Sequence, residues 1–133
     1  MRTLRERRAG RQRGSAVVEF ALVLPLVLIV VLGLVQVGLV VRDRLLVESA
    51  ARAGARAAAL QDDPAAIEAA ALAAGAGLDA GLVQVGTLRD GSRGDPVTVR
   101  ITYEDPFRVP LVGWLVGSGV TMTASAVERQ EFG

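Results

Sequence analysis

The stretch RGSAVVEFALVLPLVLIVVLGLVQVGLVV, residues 13–41, decides the architecture of this chain. From Phe20 to Val41 it has 22 residues without a formal charge, and 17 of them are Leu, Val, Ile or Phe. A helix of that length rises about 33 Å, which is enough to cross the hydrocarbon of a bilayer. The favourable free energy of inserting these apolar side chains into the membrane outweighs the cost of inserting the few small or polar ones. We therefore predict a transmembrane helix over residues 15–41.

A secretory signal peptide also joins a basic start to an apolar run, but its apolar core is usually only about 7–15 residues long. No small-residue cleavage site follows the run near Val41. Arginines flank both ends of the span, at Arg2, Arg5, Arg7, Arg8, Arg11 and Arg13 before it and at Arg42, Arg44, Arg52 and Arg56 after it. Their excess before the span predicts a single-pass protein whose basic leader, residues 1–14, is cytoplasmic and whose C-terminal part is extracytoplasmic.

Composition limits the chemistry of the whole chain. Its 133 residues include no Cys and no His, which excludes disulfides, thiolate nucleophiles, imidazole bases and the usual zinc ligands. The adjacent acids Asp62–Asp63 and Glu104–Asp105 are explained as helix-cap and turn residues. We therefore expect no enzyme activity, no catalytic residue, no cofactor and no metal site. We also expect no nucleic-acid partner and no small-molecule substrate.

Glu19 places a carboxylate one helical turn into the apolar stretch, where an ionised acid costs about 2 kcal/mol. The plain explanation is that an acid in the first turn opposes the positive end of the helix dipole. A capping box does not apply, because with Ser15 as N-cap the residue three positions on is Val18. The spacing also permits a functional explanation, since Glu19 is fifth in a chain that would begin at Ser15, directly after Gly14.

This order of basic leader, Gly14, Ser15, Glu19 and apolar helix resembles a type IV prepilin. The resemblance implies that a membrane aspartyl peptidase cuts between Gly14 and Ser15 on the cytoplasmic side. An α-ammonium formed at Ser15 is a natural partner for a carboxylate at low dielectric. The resemblance further implies that Glu19 meets the new N-terminus of a neighbouring subunit during assembly.

Within that superfamily, GSAVVEFALVLPLVLIVVLGLVQVG at residues 14–38 and ESAARAGARAAA at residues 48–59 look like the TadE-like pseudopilins of the tight-adherence (Flp pilus) system. Short major pilins of that system commonly have Tyr after the Glu, whereas here Phe20 follows Glu19 and about 90 residues follow the span. The resemblance therefore implies a minor pilin or pseudopilin of the cytoplasmic (inner) membrane or of a surface pilus, with the missing Cys favouring TadE over TadF.

The implied partners are the lipid bilayer, the prepilin peptidase, other pilins or pseudopilins such as a TadF-like subunit and the Flp pilin, and the Tad membrane platform. A different class of function stays open beside this one. The chain is alternatively an uncleaved, membrane-anchored binding module whose extracytoplasmic domain holds a ligand or partner. The mature N-terminus distinguishes the two.

Beyond the span, residues 42–60 predict a helical extension. Its small residues form a ridge at Ala50, Gly54 and Ala58, beside a second ridge at Ala51, Ala55 and Ala59. Such ridges let another backbone approach closely. The approaching surface is either the chain's own domain or a neighbouring subunit.

Residues 61–133 predict a small extracytoplasmic domain, so that the whole chain has an α+β, pilin-like fold. Asp62 or Asp63 as N-cap, Pro64 in the first turn and Gly75 or Gly77 at the end indicate a second helix over Pro64–Ala74. Alternating β-branched residues and a Gly/Asp-rich turn indicate a hairpin of Leu82–Arg89 with Pro96–Asp105, and Val120–Glu128 completes about three antiparallel strands. The connector Pro106–Gly119 is too short to cross a bilayer. We favour a short helix that covers the sheet and packs in the core, with a position at the membrane interface as the alternative.

Overall fold

The computed structural model describes residues 3–132, with the side chains of residues 15–109 and 113–132. Its elements are α1 (Thr3–Leu60), α2 (Pro64–Ala74), a 3-10 turn (Ala80–Leu82), β1 (Val83–Arg89), β2 (Pro96–Pro106), α3 (Pro110–Val116) and β3 (Gly119–Arg129). A long apolar helix, a second helix and three antiparallel strands confirm the predicted α+β class. Of the predicted basic leader, Arg2 lies outside the described residues and the other arginines lie outside the described side chains.

Helix α1 has two parts with opposite surroundings. Every side chain from Ser15 to Val31 is exposed, and none of the most apolar 18-residue window is buried within the chain. The later part buries one face, at Gln36, Asp43, Val47, Ala50, Gly54 and Ala58. Positions at these intervals share one side of a helix. Because the rest of the chain leaves the first part uncovered, that part indicates a single-pass membrane helix.

Helix α2 has the predicted bounds and caps. The carboxylate of Asp63 accepts a hydrogen bond from the Ala65 backbone N–H at 3.1 Å, and Pro64 occupies the first turn. The helix ends at Gly75, whose N–H donates to the Ala71 carbonyl at 2.9 Å. Both caps satisfy backbone groups that a helix end otherwise leaves unpaired. Residues 61–63 join α1 to α2, and α2 packs back along α1 so that Gly75 lies beside Ala50.

Strand β2 is the centre of a sheet with the order β1-β2-β3, and both neighbours are antiparallel to it. Its buried residues alternate with more exposed ones, at Val97, Val99, Ile101, Tyr103 and Asp105. This alternation confirms the predicted half-buried strand and hairpin. The buried row packs against α1 and α2 and forms the core of the domain.

The ridge at Ala50, Gly54 and Ala58 is covered by the chain itself. A Cβ at Gly54 would lie 3.0 Å from Val99 Cγ1 and 3.4 Å from Ala71 Cβ, so the sheet and α2 approach the helix closely there. Both alanines are almost completely buried. The structure thus sets the chain's own domain, and not a neighbouring subunit, against this ridge.

The sheet lies along α1 in a defined direction. At the end of the sheet beside the C-terminus of α1, the Glu131 N–H donates to the Ala59 carbonyl at 2.8 Å. At the opposite end, in the connection between β2 and β3, the Val109 N–H donates to the side chain of Gln36 at 3.1 Å. The connection that contains α3 is consequently the part of the domain closest to the apolar half of α1.

The favoured position of the connector in the core is wrong for Trp114, which is 83% exposed. Among the described side chains, the core cluster of α1, α2 and the sheet includes none from the connector. The connector instead crosses the end of the sheet and brings α3 beside α1. Leu115 and Val116 are exposed with Trp114.

Candidate functional site

The residues of the predicted cleavage and assembly site lie together at the start of the exposed part of α1. The Ser15 hydroxyl donates a hydrogen bond to Glu19 Oε1 at 3.1 Å, one helical turn away. Both side chains are exposed, as is that of Phe20. The backbone is helical through Gly14 and Ser15. The structure therefore brings the carboxylate into direct contact with the residue that cleavage would make the first.

The predicted packing ridge is far from this site. Glu19 and Ala50 are separated by 31 residues of continuous helix, which at about 1.5 Å per residue amounts to roughly 46 Å. Glu19 is surrounded by exposed apolar side chains, whereas Ala50 is buried in the domain core. The Ser15–Glu19 site and the small-residue ridge are thus separate parts of α1. The described part of the chain does not cover the site, whereas the ridge already packs against the domain.

A third feature was not predicted, and we call it the junction cluster: Gln36, Asp43, Asp105 and Arg108. Asp43 is fully buried, and its Oδ2 lies 2.7 Å from Arg108 Nη2. Asp105, the last buried residue of β2, lies 3.7 Å from the same guanidinium nitrogen. The cluster joins α1 to the connection between β2 and α3. It lies where the apolar half of the helix meets the domain.

Charge in the junction cluster is not evenly matched. Arg108 faces two buried carboxylates, and Arg42 Nη1 adds a contact of 2.9 Å to Asp43 Oδ1 from a half-exposed position. Burial raises the pKa of Asp105, and the neighbouring Asp43 raises it further, while Arg108 acts in the opposite direction. Among the described residues, Asp105 Oδ2 and Gln36 Nε2 have no hydrogen-bond partner. The cluster is therefore a costly arrangement that depends on Arg108.

The prediction that Glu104 and Asp105 are turn residues is wrong, because both lie within β2. The prediction of helix-cap residues at Asp62–Asp63 is confirmed for Asp63. Asp63 caps α2, and Asp62 Oδ1 lies 2.9 Å from Arg89 Nε. Asp105 instead continues the alternation of β2 and therefore faces inward. The alternation of apolar and polar residues along β2 is the sequence feature that indicates the inward position of Asp105.

The other members of the junction cluster differ in how far the sequence signals them. Gln36 and Asp43 are seven residues apart and therefore share one face of α1. Arg108 belongs to a connector without periodicity, so no pattern in the sequence indicates its contact.

Asp105→Asn is expected to stabilise the folded domain at neutral pH. Because the pKa of Asp105 is raised in the folded state, folding favours its protonated form, and stability is lost as the pH rises from the ordinary aspartate pKa through the raised one. Asn remains neutral throughout. Thermal unfolding of the full chain in detergent should show a higher midpoint for the variant at neutral pH and a shrinking difference in acid. Glu104→Gln, on the exposed face of β2, is the matched control, and an equal response of both variants would contradict the prediction.

Comparison with known proteins bears on the N-terminal part of the chain. The family model of the TadE-like proteins matches residues 14–56. This range begins at Gly14, contains Glu19 and the exposed part of α1, and reaches into the segment that packs against the domain. The match confirms the resemblance stated from the sequence. No curated protein and no solved structure matches the chain.

Proposed function

We propose, from the premise that the chain is TadE-like through residues 14–56, that it is a minor pilin or pseudopilin processed by prepilin peptidase. In this proposal the peptidase cuts between Gly14 and Ser15, and the shortened protein takes part in assembly of a tight-adherence pilus or a related secretion system. The TadE-like segment supports the coarser statement, that this is a minor-pilin-like protein associated with a Tad pilus. That family is a structural pilus component and is not known as an enzyme.

The observation that carries the proposal is the contact between Ser15 and Glu19. A carboxylate at the edge of the hydrocarbon is costly unless a cation or hydrogen-bond donors meet it. The Ser15 hydroxyl already supplies one donor at 3.1 Å. Cleavage would add an α-ammonium on the same residue, and a charge-assisted pair is stronger than a neutral hydrogen bond.

The exposed part of α1 supports a role in assembly. Its apolar side chains point in every direction between Ser15 and Val31, and the domain covers none of them. Moving such a helix from lipid into a bundle of similar helices changes its hydrophobic environment little. The decisive interactions are then polar ones, and Glu19 meeting the new N-terminus of a neighbouring subunit would set entry and register.

The proposed division of the chain follows from this role. Residues 1–14 are the leader that the peptidase removes, residues 15–41 lie in the membrane, and residues 42–60 extend the helix. Residues 61–133 form the extracytoplasmic domain on the extension. The proposed partners are the peptidase, other pilins or pseudopilins, and the Tad membrane platform.

The test is the mature N-terminus, determined by mass spectrometry of protein purified from cells with and without active prepilin peptidase. We expect a chain that begins at Ser15 only where the peptidase is active. Gly14→Val should abolish processing, because a branched side chain then occupies the cut site. Gly33→Val is the matched control: it lies in the same helix, and a Cβ there meets no atom within 4 Å, so processing should be unchanged.

An intact leader in the presence of the active peptidase would overturn the proposal. The uncleaved, membrane-anchored binding module would then account for the chain. Processing that continues in Gly14→Val would likewise contradict the assigned cut site.

A further inference from the structure

We propose that α3 is a second membrane contact, lying in the bilayer leaflet on the side of the C-terminal domain, next to the transmembrane helix. The partner is the lipid of the same bilayer that holds α1. The inference requires that α1 crosses a membrane, but it does not depend on cleavage after Gly14. It therefore stands or falls separately from the proposed processing.

The contact between Gln36 and Val109 fixes the level along α1 at which α3 begins. The Val109 N–H, directly before α3, donates to Gln36 Oε1 at 3.1 Å, and both residues are buried. Gln36 lies six residues before Arg42, the first charged residue after the span, which corresponds to about 9 Å along a helix. The start of α3 is thus on the membrane side of the level where the charged residues begin.

The surface of α3 suits lipid at this depth. Trp114, Leu115 and Val116 are all exposed, and residues 109–119 contain no charged residue. On α1, Leu34 and Val37 near Gln36 are also exposed. The apolar surface of α3 therefore continues the lipid-facing surface of the span instead of forming an isolated patch in water. A Trp near the end of such a surface is typical of the membrane interface.

Basic side chains surround the same end of the domain. Arg42, Arg44 and Arg108 each keep a third to a half of the side chain exposed, at or beyond the level where the span ends. Each of these arginines also pairs with a carboxylate of the chain, so only the exposed part of each guanidinium is open to lipid phosphates in the headgroup region. A leaflet changes from apolar acyl chains to charged headgroups. The apolar surface of α3 and the arginines beyond it follow the same order.

Trp114 makes the proposal directly measurable, because it is the only Trp of the chain. The full-length protein is reconstituted into vesicles of phosphatidylcholine and phosphatidylglycerol, at a low protein-to-lipid ratio, with bromine on the lipid acyl chains at different depths. We expect the Trp114 emission to be blue-shifted. Bromines at a shallow depth should quench most of its intensity, and bromines at the bilayer centre should quench less. Aqueous iodide should quench it little.

A matched control moves the reporter to the far end of the sheet. In the double variant Trp114→Phe, Leu88→Trp, the Trp replaces an exposed residue that pairs with Thr98, away from α3. Its emission should be quenched by iodide and not by brominated lipid. Two results for Trp114 would overturn the proposal. Quenching like that of the control means exposure to water, and blue-shifted emission without lipid quenching means that a protein surface, such as a second copy, covers it.

Discussion

If Glu19 pairs with the new N-terminus of a neighbouring subunit as proposed, we expect Glu19→Ala to stay in the membrane and to be depleted from the pilus assembly by roughly 100-fold. Removing one member of an ion pair in a low-dielectric site costs about 3–5 kcal/mol, because the remaining charge is buried without a partner. At about 1.4 kcal/mol per factor of ten, the lower bound already corresponds to that depletion. Insertion is unaffected or improved, since Ala removes a charge from the apolar helix. The measurement compares the membrane content of processed protein with the amount cross-linked to other pilins or recovered with pili.

The matched control is Glu48→Ala on the same helix. Glu48 lies in the extension and pairs with Arg44 at 3.1 Å and Arg52 at 4.0 Å on the exposed surface. Such pairs contribute only about 0.2–0.5 kcal/mol each, so assembly should change little. Wild-type recovery of Glu19→Ala with pili would contradict the role given to the carboxylate. Equal depletion of both variants would show a general loss of fold instead.

Arg108→Met should destabilise the domain by about 3 kcal/mol. The substitution keeps much of the aliphatic stem and removes the cation that faces Asp43 and Asp105, both of which stay buried. An uncompensated buried charge typically costs about 3–5 kcal/mol. We expect the lower end of this range, because the Arg108 side chain is 36% exposed and Arg42 still contacts Asp43.

Denaturant unfolding of the full chain in detergent, followed by circular dichroism of the sheet, measures the effect. Arg56→Met serves as the control, since Arg56 is exposed on the same helix that carries Asp43. Its free energy of unfolding should change by no more than about 0.5 kcal/mol. Combining Arg108→Met with Asp105→Asn should recover part of the loss, because one of the two buried charges is then absent. Equal stability of Arg108→Met and wild type would contradict the interpretation of the junction cluster.

Residues close in sequence were sufficient to predict α1, α2 and the three strands of this fold. The charge-free run up to Val41 indicates a membrane helix. Pro64, with an N-cap at Asp62 or Asp63 and an end at Gly75 or Gly77, indicates the limits of α2 to within about two residues. The alternation in β2 and the Gly/Asp-rich turn before it indicate the hairpin. These features follow from chain stereochemistry, hydrogen bonding at helix ends and side-chain periodicity, all of which act within about one or two turns of chain. The contact of Ser15 with Glu19 belongs to the same class, since it spans a single helical turn.

Tertiary packing decided the rest, because the remaining contacts join segments far apart in the chain. Ala50, Gly54 and Ala58 permit a close approach, but only the docked sheet and α2 supply the surface that approaches. Likewise, the meeting of Asp43 with Arg108 and of Gln36 with Val109 depends on how the sheet lies along α1. The exposure of Trp114 follows from the path of the connector, which crosses the end of the sheet outside the core cluster. Local patterns specify which face of each element is apolar, whereas the alignment of those faces emerges only when the whole core packs without gaps.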